Sequence, residues 1–402
     1  MRICLVSYGF PDFENGETNG IATYNYWSAL GLARLGHQVL VLTPFGKPAN
    51  GEPLAQSDRI RVWKYDIGNL HYYVHRTGLF KSAPLWIKQY EVYWAAIQAI
   101  KRLIQSENID VIESSGPLLP WPLRSVVKGI PCVITLHGLP LVFKEQMGMS
   151  TSLIDRLGHC AIYQHGLALA DAVVAPTKFV ADQALRIGVA LSKLQIIPPP
   201  ISEEFECRHS GCVPEFSRDP NSPIVLTVSP LNKSKGLDVL SAAIPLVIKE
   251  FSQVRFVLVG KREDEDVAKV LTRFNNNNVI LTGPIGWPSV SKIFSAADMY
   301  VSPTRFETVG YTILEAMICA MPVVASRVGG VIDLVDDGRT GLLVPPGDPK
   351  ALAESILKML RMRDRGKEMG NRGRMKLLDN FNLDVITRRK IELYASLCRK
   401  RK

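Results

Sequence analysis

Residues 298–317 read DMYVSPTRFETVGYTILEAM. The apolar run that ends at Val301 predicts a buried strand, and the segment from Val309 to Ala320 predicts a helix. Glu307 therefore lies on the loop between them, and Glu315 lies about two turns into the helix. Because open α/β sheets bind ligands beyond the carboxyl ends of their strands, this loop belongs to a ligand-binding edge.

The backbone at the predicted start of this helix is suited to binding a ligand. The backbone N–H groups from Thr308 to Tyr311 are expected to be unpaired there, which suits an anion or the hydroxyls of a sugar. A lone glutamate at position 307 is explained equally well by its favourable interaction with the helix dipole. The rest of the chain decides between these two interpretations.

The composition is that of an ordinary globular protein. The 402 residues, of which 47% are hydrophobic, predict two or three domains with normal cores. No apolar run reaches roughly 18 residues, so we expect no transmembrane helix. The amino-terminal residues MRICLVS predict a first strand rather than a signal peptide.

The cysteines indicate a reducing compartment. Seven of them are scattered without a disulfide framework, so we expect free thiols in a cytoplasmic protein. Cys207 and Cys212 are spaced like half of a metal site, but no second cluster supplies the remaining ligands. The sequence therefore predicts no metal.

The positive charge is concentrated at the carboxyl end. The net charge is +10, and residues 361–402 hold 14 Lys or Arg against 5 Asp or Glu. Such an end suits an anionic membrane surface or a nucleic acid, although a solvated helix surface with a basic tail is the simpler explanation. Because no nucleic-acid-binding motif accompanies the charge, we expect no nucleic-acid partner. The location we expect is the cytoplasm, with peripheral contact to the inner face of the membrane as an extension.

The first half alternates strands and helices. A strand at 2–7, a long loop, a helix from Ile21 to Leu35 and a strand at 37–43 form a βαβ unit without the G-x-G-x-x-G fingerprint. The same alternation continues to Ile197 and predicts a doubly wound parallel sheet. The further strands are predicted at 60–64, 109–113, 132–136, 172–175 and 194–197, and the helices near 84–107, 117–128, 150–169 and 178–187.

The second half repeats this pattern after a break. Pro198, Pro199 and Pro200 interrupt regular structure, and residues 198–222 read as a linker. Strands are predicted at 224–229, 255–259, 278–281, 299–302, 322–325 and 341–344, and the final helices at 348–361, 364–378 and 383–398. We therefore expect an α/β protein with a domain at 1–200, a second at 201–380, a terminal helix with a basic tail at 381–402, and a cleft between the domains.

Four sequence blocks resemble glycosyltransferase family 4, the retaining nucleotide-sugar enzymes with the GT-B fold. They lie at Asn19–Val39, Val133–Gly138, Lys235–Leu240 and Glu307–Met317, the last continuing into DDGRTGLLV at 336–344. The pair of glutamates separated by seven residues, in its strand–loop–helix setting, is the most specific of them. The resemblance implies two facing Rossmann-like domains, with the carboxyl-terminal helices packing back on the first.

The resemblance also assigns roles by position. Glu307 would contact the donor sugar near its reacting carbon, Lys235 would face the diphosphate, and His137 would face the sugar from the first domain. The remaining assignments are Thr308, Val309 and Gly310 for the sugar hydroxyls, Glu315 for the ribose, Gly283 and Ile285 for the base, and Asn19 and Gly20 for the phosphates and acceptor.

Each assignment has a plain alternative. His137 is also explained as a strand-end histidine bonded to backbone, Lys235 as a solvated loop lysine and Glu315 as a surface carboxylate of an amphipathic helix. The joint pattern outweighs these separate explanations. The resemblance further implies metal-independent chemistry with no cofactor beyond the substrate, and Asp264, Glu265 and Asp266 read as an exposed helix start.

Three positions depart from the family pattern. The most important is Pro230, which occupies the place of an arginine that grips the diphosphate and supplies neither charge nor N–H. Lys233 is the expected substitute, as a point charge, and Arg327 is a less favoured one. Pro198–Ile201 replaces a common Pro-Asn-Gly-Val sequence, and Asp333 replaces a usual glutamate; both are expected to be tolerated.

The acceptor side is predicted from a segment rich in aromatic and basic residues. It runs from Leu70 to Lys88 and continues to Tyr90, Tyr93 and Trp94. Aromatic rings stack on sugars and also lie at lipid interfaces. The alternative is a helix from Pro84 that buries its rings against the sheet.

Together these features predict a glycosyltransferase that moves a sugar from a UDP- or GDP-linked donor to a glycan or lipid-linked glycan, in cell-surface polysaccharide or glycolipid synthesis. Two alternatives stay open. One is a degenerate relative that binds nucleotide sugars or acts as a scaffold, for which Pro230 is the support. The other is a different two-domain nucleotide-sugar enzyme, such as an epimerase.

Overall fold

The computed structural model describes residues 1–7, 9–11, 19–44, 52–54, 57–67, 85–116, 127, 129–205, 221–274 and 278–401. Most of the predicted helix at 117–128, most of the acceptor segment at 70–88 and the Cys207–Cys212 pair lie outside these residues. Among the described residues, a first compact unit contains 1–11, 21–200 and 383–401. The second contains Asn19, Gly20 and 201–382.

The first unit is built on an eight-stranded sheet with the order β3-β4-β2-β1-β5-β6-β7-β8. All neighbours pair in parallel except the edge strand β3, which runs antiparallel to β4 and was not predicted. Strands β1, β2, β5, β6 and β7 are buried along most of their length, as expected for a parallel sheet covered by helices, whereas β4 has only two buried residues. The strands are β1 (Arg2–Val6), β2 (Gln38–Thr43), β3 (Glu52–Leu54), β4 (Ser57–Lys64), β5 (Val111–Ser114), β6 (Cys132–Thr135), β7 (Ala172–Ala175) and β8 (Leu194–Ile196).

Six helices of the first unit are described, and one of them comes from the far end of the chain. The last helix, α13, packs against α1 at Gly31, where a Cβ atom would lie 2.1 Å from Oγ1 of Thr387. The glycine therefore allows the two helices to approach closely. These helices are α1 (Gly20–Arg34), α2 (Leu85–Ser106), α3 (Pro140–Gln146), α4 (Leu153–Leu169), α5 (Lys178–Arg186) and α13 (Leu383–Lys400).

The second unit is built on a six-stranded, fully parallel sheet with the order β11-β10-β9-β12-β13-β14. The strands are β9 (Ile224–Val228), β10 (Arg255–Val259), β11 (Val279–Gly283), β12 (Met299–Ser302), β13 (Val323–Ser326) and β14 (Leu342–Val344). The helices are α6 (Leu237–Glu250), α7 (Glu265–Leu271), α8 (Trp287–Ala296), α9 (Tyr311–Ile318), α10 (Val331–Leu334), α11 (Pro349–Arg361) and α12 (Arg363–Asn380).

Two sheets of mainly parallel strands, each flanked by helices, confirm the predicted α/β fold class with two domains. Two helices differ from the prediction. The helix expected at 309–320 begins only at Tyr311, because Gly310 has a left-handed backbone with φ of +82°. The short helix α3, which begins with Pro140 at its first position, was missed.

The basic carboxyl end is largely bonded within its own unit. Arg374 donates to the carbonyl of Ile318, and Lys376 pairs with Asp336 at 2.9 Å. In α13, Arg389 donates to the carbonyl of Ile196, and just beyond its end Arg401 pairs with Asp171. Many of the basic side chains at the carboxyl end therefore bond to neighbouring elements and hold the helices in place. Fewer of them than the sequence suggested are simply solvated. No helix in the described part of the chain has the length and apolar character needed to cross a membrane.

Candidate functional site

Lys235 is presented by a short 3-10 turn after β9, at residues Lys233–Lys235. The side chain of Asn232 caps this turn, since its Oδ1 accepts from the backbone N of Lys235 at 3.0 Å. The next residue, Gly236, has φ of +69°, and a Cβ atom there would lie 1.8 Å from the carbonyl oxygen of Pro303. A glycine is therefore needed directly after Lys235, because the turn lies against the backbone that follows β12.

The loop that carries Glu307 is fastened to this turn. The carbonyl of Ser234 accepts from the backbone N of Arg305 at 2.9 Å and from Oγ1 of Thr304 at 3.2 Å. The guanidinium of Arg305 donates to both carboxylate oxygens of Asp238 and to the carbonyl of Lys233. The two loops therefore form one rigid edge at the carboxyl ends of β9 and β12.

Lys235 and Glu307 meet at this edge. The ammonium of Lys235 lies 2.8 Å from Oε2 of Glu307, and both side chains are partly exposed. The other oxygen, Oε1, accepts from the backbone N of Thr308 at 3.1 Å. The expectation that the Thr308 amide is unpaired is therefore wrong, because the helix begins later and the carboxylate of Glu307 turns back to bond it.

The loop continues through Val309 and Gly310 into α9. Val309 is buried, and Gly310 forms the positive-φ entry to the helix. Its missing Cβ atom would lie 3.5 Å from Cγ of Glu307, so the glycine backbone runs directly beside the glutamate side chain. The structure brings these two residues together with Glu307, and their contact with a sugar stays a prediction.

Glu315 lies about one turn into α9, rather than two, and is 4% exposed. Beneath this helix, the hydroxyl of Tyr300 bonds Oγ1 of Thr312 at 2.7 Å. Burial raises the pKa of Tyr300, and the carboxylates of Glu315 and Glu307 raise it further. The alternative of a surface carboxylate is therefore wrong for Glu315, which is buried.

The cations near Pro230 differ in their availability. Pro230 is exposed, as is Lys233, whose ammonium has no bonding partner within the described residues. Arg327, the less favoured substitute, is bonded to Asp337. Of Lys233 and Arg327, Lys233 is therefore the one whose charge is available to a ligand at this edge.

Gly283 is the last residue of the edge strand β11, and Ile285 follows it. Gly283 ends the strand with φ of +73°, and its carbonyl accepts from the backbone N of Gly260 at 3.0 Å. Ile285 is half-buried in the loop before α8. Ile285 lies between the strand end and the next helix, as predicted, whereas Gly283 is still part of the strand, which ends two residues later than expected. Their contact with a base stays a prediction.

His137 lies in the first unit, two residues beyond the end of β6. Its ring packs edge-on against Tyr24, with the centroids 4.7 Å apart, and its buried Nε2 atom has no hydrogen-bond partner among the residues that the structure describes. Burial, with a smaller contribution from the charge of Lys390, lowers the pKa of His137 to about 3. The imidazole is therefore neutral, and its Nε2 is not satisfied by backbone.

The polar cluster beside His137 was not predicted from the sequence. Glu113, on β5, and Lys390, on α13, form a buried ion pair at 2.9 Å. Oγ1 of Thr135 donates to the same carboxylate at 2.7 Å, and Tyr394 donates to its other oxygen. Glu113 read as part of an apolar strand and Lys390 as a surface lysine, because 276 intervening residues hide their pairing.

Asn19 and Gly20 are exposed at the start of α1 and group with the second unit. Asp264 caps the start of α7, accepting from the backbone N of Asp266 and Val267, which agrees with the predicted helix start. No cluster of three His, Cys, Asp or Glu side chains suited to a metal ion occurs in the described part of the chain.

Comparison with known proteins identifies the family. The Glycosyltransferase Family 4 model matches residues 18–205, and the model named Glycosyl transferases group 1 matches residues 222–362. Alpha-maltose-1-phosphate synthase of Mycolicibacterium smegmatis is 30% identical over 298 residues, which cover 68% of this chain and 75% of the relative.

Two solved structures share the fold. Sucrose-phosphate synthase from Thermosynechococcus elongatus superposes with a TM-score of 0.79 at 23% identity, covering 99% of each chain. Anabaena HepE, solved in complex with UDP and glucose, gives a TM-score of 0.72 at 19% identity and covers 98% of this chain and 100% of its own. The chain belongs to glycosyltransferase family 4 and is a glycosyltransferase with the GT-B fold.

Proposed function

We propose that this glycosyltransferase moves a hexose from a UDP- or GDP-linked donor to a hydroxyl of a glycan or lipid-linked glycan, with retention of configuration and without a metal ion. One observation carries the proposal. The ammonium of Lys235 and the carboxylate of Glu307 lie 2.8 Å apart on adjoining loops at the carboxyl ends of parallel strands. This pairing puts a cation for a diphosphate beside a carboxylate for a sugar ring.

The Lys235 ammonium would stabilise the leaving diphosphate. Cleavage of a sugar–phosphate bond leaves a negative diphosphate, which fixed positive charges stabilise. The Lys235 ammonium has three donors, and its contact with Glu307 uses one of them. The remaining donors are available to phosphate oxygens, and Lys233 adds a second positive charge two residues earlier.

The Glu307 carboxylate would stabilise the reacting sugar. Positive charge develops at the anomeric carbon as the bond breaks, and an adjacent carboxylate such as Glu307 stabilises it. The neutral imidazole of His137, on the other unit, offers one donor and one acceptor to sugar hydroxyls. An acceptor hydroxyl that attacks from the face of the leaving diphosphate gives retention.

The choice of donor has support from a structural relative. HepE was solved with UDP and glucose, which favours a uridine nucleotide within the proposed pair. Glu315 would bond the ribose, and the loop with Gly283 and Ile285 would line the base. The amides of Val309 and Gly310 would hold hydroxyls of the sugar.

The acceptor proposal rests on a groove of about 700 Å³ in the first unit. Tyr90 and Trp94 line it, stacked with centroids 6.4 Å apart, and are 40% and 44% exposed. Tyr93, on the same helix, is buried at 3%. Only part of the predicted aromatic set therefore packs into the core, and the exposed rings suit stacking on a glycan acceptor.

A thermal-shift panel tests the donor proposal. The native protein should be stabilised by UDP or GDP and by sugars linked to them, and not by AMP at equal concentration, because a ligand that binds only the folded state raises Tm. Lys235→Ala should lose most of the shift. Equal shifts for all nucleotides, or none for any, would contradict the proposal.

Pro230 favours a second candidate, a degenerate relative that binds nucleotide sugars without transferring them. It is exposed where an arginine was expected, so one diphosphate contact is missing. Release of free nucleotide from a stabilising donor argues against this candidate. Conversion of that donor to an isomer would instead indicate the epimerase alternative.

Peripheral contact with an anionic membrane is a separate extension of the proposal. Its support is the positive charge at the carboxyl end, of which Arg388 and Lys400 are exposed. Co-sedimentation with vesicles containing anionic lipid, compared with neutral vesicles, tests it. Equal sedimentation with both would argue against such contact.

A further inference from the structure

A buried polar cluster lies behind His137 in the first unit. Glu113 is 3% exposed and Lys390 is 1% exposed, so their 2.9 Å ion pair is almost completely removed from water. Such a pair is costly to desolvate, and apolar residues of the same volume often stabilise a fold equally well. Burial of two charges therefore suggests a role beyond stability.

Every oxygen of the Glu113 carboxylate is used. Oε1 accepts from Lys390 and from Thr135 at 2.7 Å, and the hydroxyl of Tyr24 lies 3.4 Å away. Oε2 accepts from Tyr394. The carboxylate thus joins three elements, since Tyr24 lies on α1, Thr135 on β6, and both Lys390 and Tyr394 on α13.

Two of these contacts lead to His137. Thr135 ends β6 two residues before His137, so its bond to Glu113 fixes the strand end from which the histidine projects. Tyr24 lies between the ion pair and the histidine: the ammonium of Lys390 is 4.8 Å from its ring centroid, and the ring of His137 is 4.7 Å from it. Lys390 also donates to Ser28 at 3.1 Å, one turn along α1 from Tyr24.

We propose that the Lys390–Glu113 ion pair positions His137 for sugar transfer, so that the carboxyl-terminal helix α13 holds the histidine through Tyr24 and Thr135. The inference rests on the proposed function, in which His137 bonds the donor sugar. Lys390 and Glu113 are positioning residues and touch no substrate. The charge of Lys390 also helps to keep the imidazole neutral, which agrees with the lowered pKa of His137.

The double variant Glu113→Gln/Lys390→Met is the deciding test. The glutamine oxygen accepts from one of the Thr135 and Tyr394 hydroxyls, and its NH2 group donates to the oxygen of the other. Methionine retains the length of the lysine chain, so packing is kept while both charges are lost. Single variants leave one buried charge unpaired and are expected to unfold at lower temperature. The double variant should recover a Tm close to that of the wild type.

Three readouts separate positioning from a structural role. The double variant should lose at least about tenfold in kcat, on the scale of a mispositioned catalytic hydrogen bond. The donor KM should change by a smaller factor than kcat, because the loops proposed to hold the nucleotide lie in the second unit and only the contact with His137 is disturbed. The His137 signals in a histidine-selective NMR spectrum, assigned by their loss in His137→Gln, should shift.

A matched control is Lys376→Met on α12, which breaks the 2.9 Å ion pair of Lys376 with Asp336 and should leave kcat and the His137 signals unchanged. A double variant with wild-type kcat and unshifted His137 signals overturns the inference. If the wild type transfers no sugar from any donor, the proposed function fails. The positioning role is then tested by the NMR spectrum alone, and unshifted His137 signals in the double variant would overturn it.

Discussion

Lys235 and Lys233 are two residues apart and have different surroundings. The first is held by the Asn232 cap and by Glu307, whereas the second projects from the turn without a partner in the described residues. A fixed charge stabilises a leaving group more than a mobile one, because it needs no reorganisation during the reaction. Lys235 is therefore the main cation of the site, and Lys233 compensates for Pro230.

We predict that Lys235→Ala lowers kcat roughly 10²- to 10³-fold, the usual loss for one preorganised donor. Lys233→Ala should weaken donor binding and raise the donor KM by about tenfold or less, since it removes an exposed point charge. Steady-state kinetics with a stabilising donor measure both. Lys350→Ala, which removes another exposed lysine, is the control, and unchanged kinetics in Lys233→Ala would show that Lys233 does not replace the arginine.

The contact between the Lys235 turn and the backbone at Pro303 requires a glycine at position 236. Gly236→Ala adds a Cβ atom 1.8 Å from the carbonyl oxygen of Pro303 and keeps a positive φ. Gly347→Ala also meets a positive φ, +77°, but has nothing within 4 Å. The control should cost about 1–2 kcal/mol from backbone strain alone, whereas Gly236→Ala should cost more and also reduce transfer, because the Lys235 turn must move.

Urea unfolding and donor kinetics of the two glycine variants compare these effects directly. Equal losses of stability, with transfer rates close to wild type in both, would mean that contact with Pro303 does not hold the site together.

At the scale of elements, Arg305 joins the Lys235 turn to the Glu307 loop. Burial alone would raise the pKa of Asp238, but hydrogen bonds and charge from Arg305 outweigh it and hold this pKa below its usual value. Arg305→Ala should raise the donor KM and cost about 1 kcal/mol, as for a partly exposed paired arginine. Because the folded pKa of Asp238 is lowered, the stability from this pair is present above its unfolded pKa and is lost as pH falls.

Unfolding of Arg305→Ala at pH 7 and at acid pH measures this contribution. Arg361→Ala, which breaks the exposed bond to Glu250, should lose little stability and no donor affinity. Wild-type donor KM in Arg305→Ala would argue that the two loops hold their places without it.

The sequence predicted the elements best where burial is complete. The strands at 172–175, 255–259 and 299–302 match the structure residue for residue, because apolar runs between helices are characteristic of buried parallel strands. The start of α9 was placed two residues early, since a pattern of apolar residues does not show that Gly310 has a left-handed backbone.

The candidate site was predictable only where its residues are near in sequence or share a family motif. Glu307, Gly310 and Lys235 were predicted as site residues, and the structure places them next to one another. Their mutual ion pair was not foreseen, because it depends on how two loops 72 residues apart meet. Glu113 and Lys390 were missed for the same reason, over a longer separation.

At the scale of the whole molecule, His137 should make stability depend on pH. Its pKa is about 3 in the folded state, below the value of 6.5 for an ordinary histidine, so the unfolded chain binds a proton that the native state does not. This contribution is fully present above pH 6.5 and declines as pH falls toward 3, with a slope of at most about 1.4 kcal/mol per pH unit.

Denaturant unfolding between pH 5 and pH 7.5 should therefore show a shallower decline in His137→Gln than in the wild type. The exposed residue His165 provides the control, and His165→Gln should keep the wild-type slope. A wild-type slope in His137→Gln would mean that the imidazole is protonated in the folded protein.

The activity proposed for this protein is retaining transfer from a nucleoside-diphosphate sugar, supported by Lys235 and Glu307. The most direct measurement is an NMR time course of the anomeric protons, with the wild type, Lys235→Ala and Glu307→Gln incubated with an α-linked donor that stabilises the fold. We predict release of the nucleoside diphosphate, first appearance of an α-configured product, and a rate at least about 100-fold lower in both variants. First appearance of the β anomer, or equal rates in all three proteins, would contradict the account.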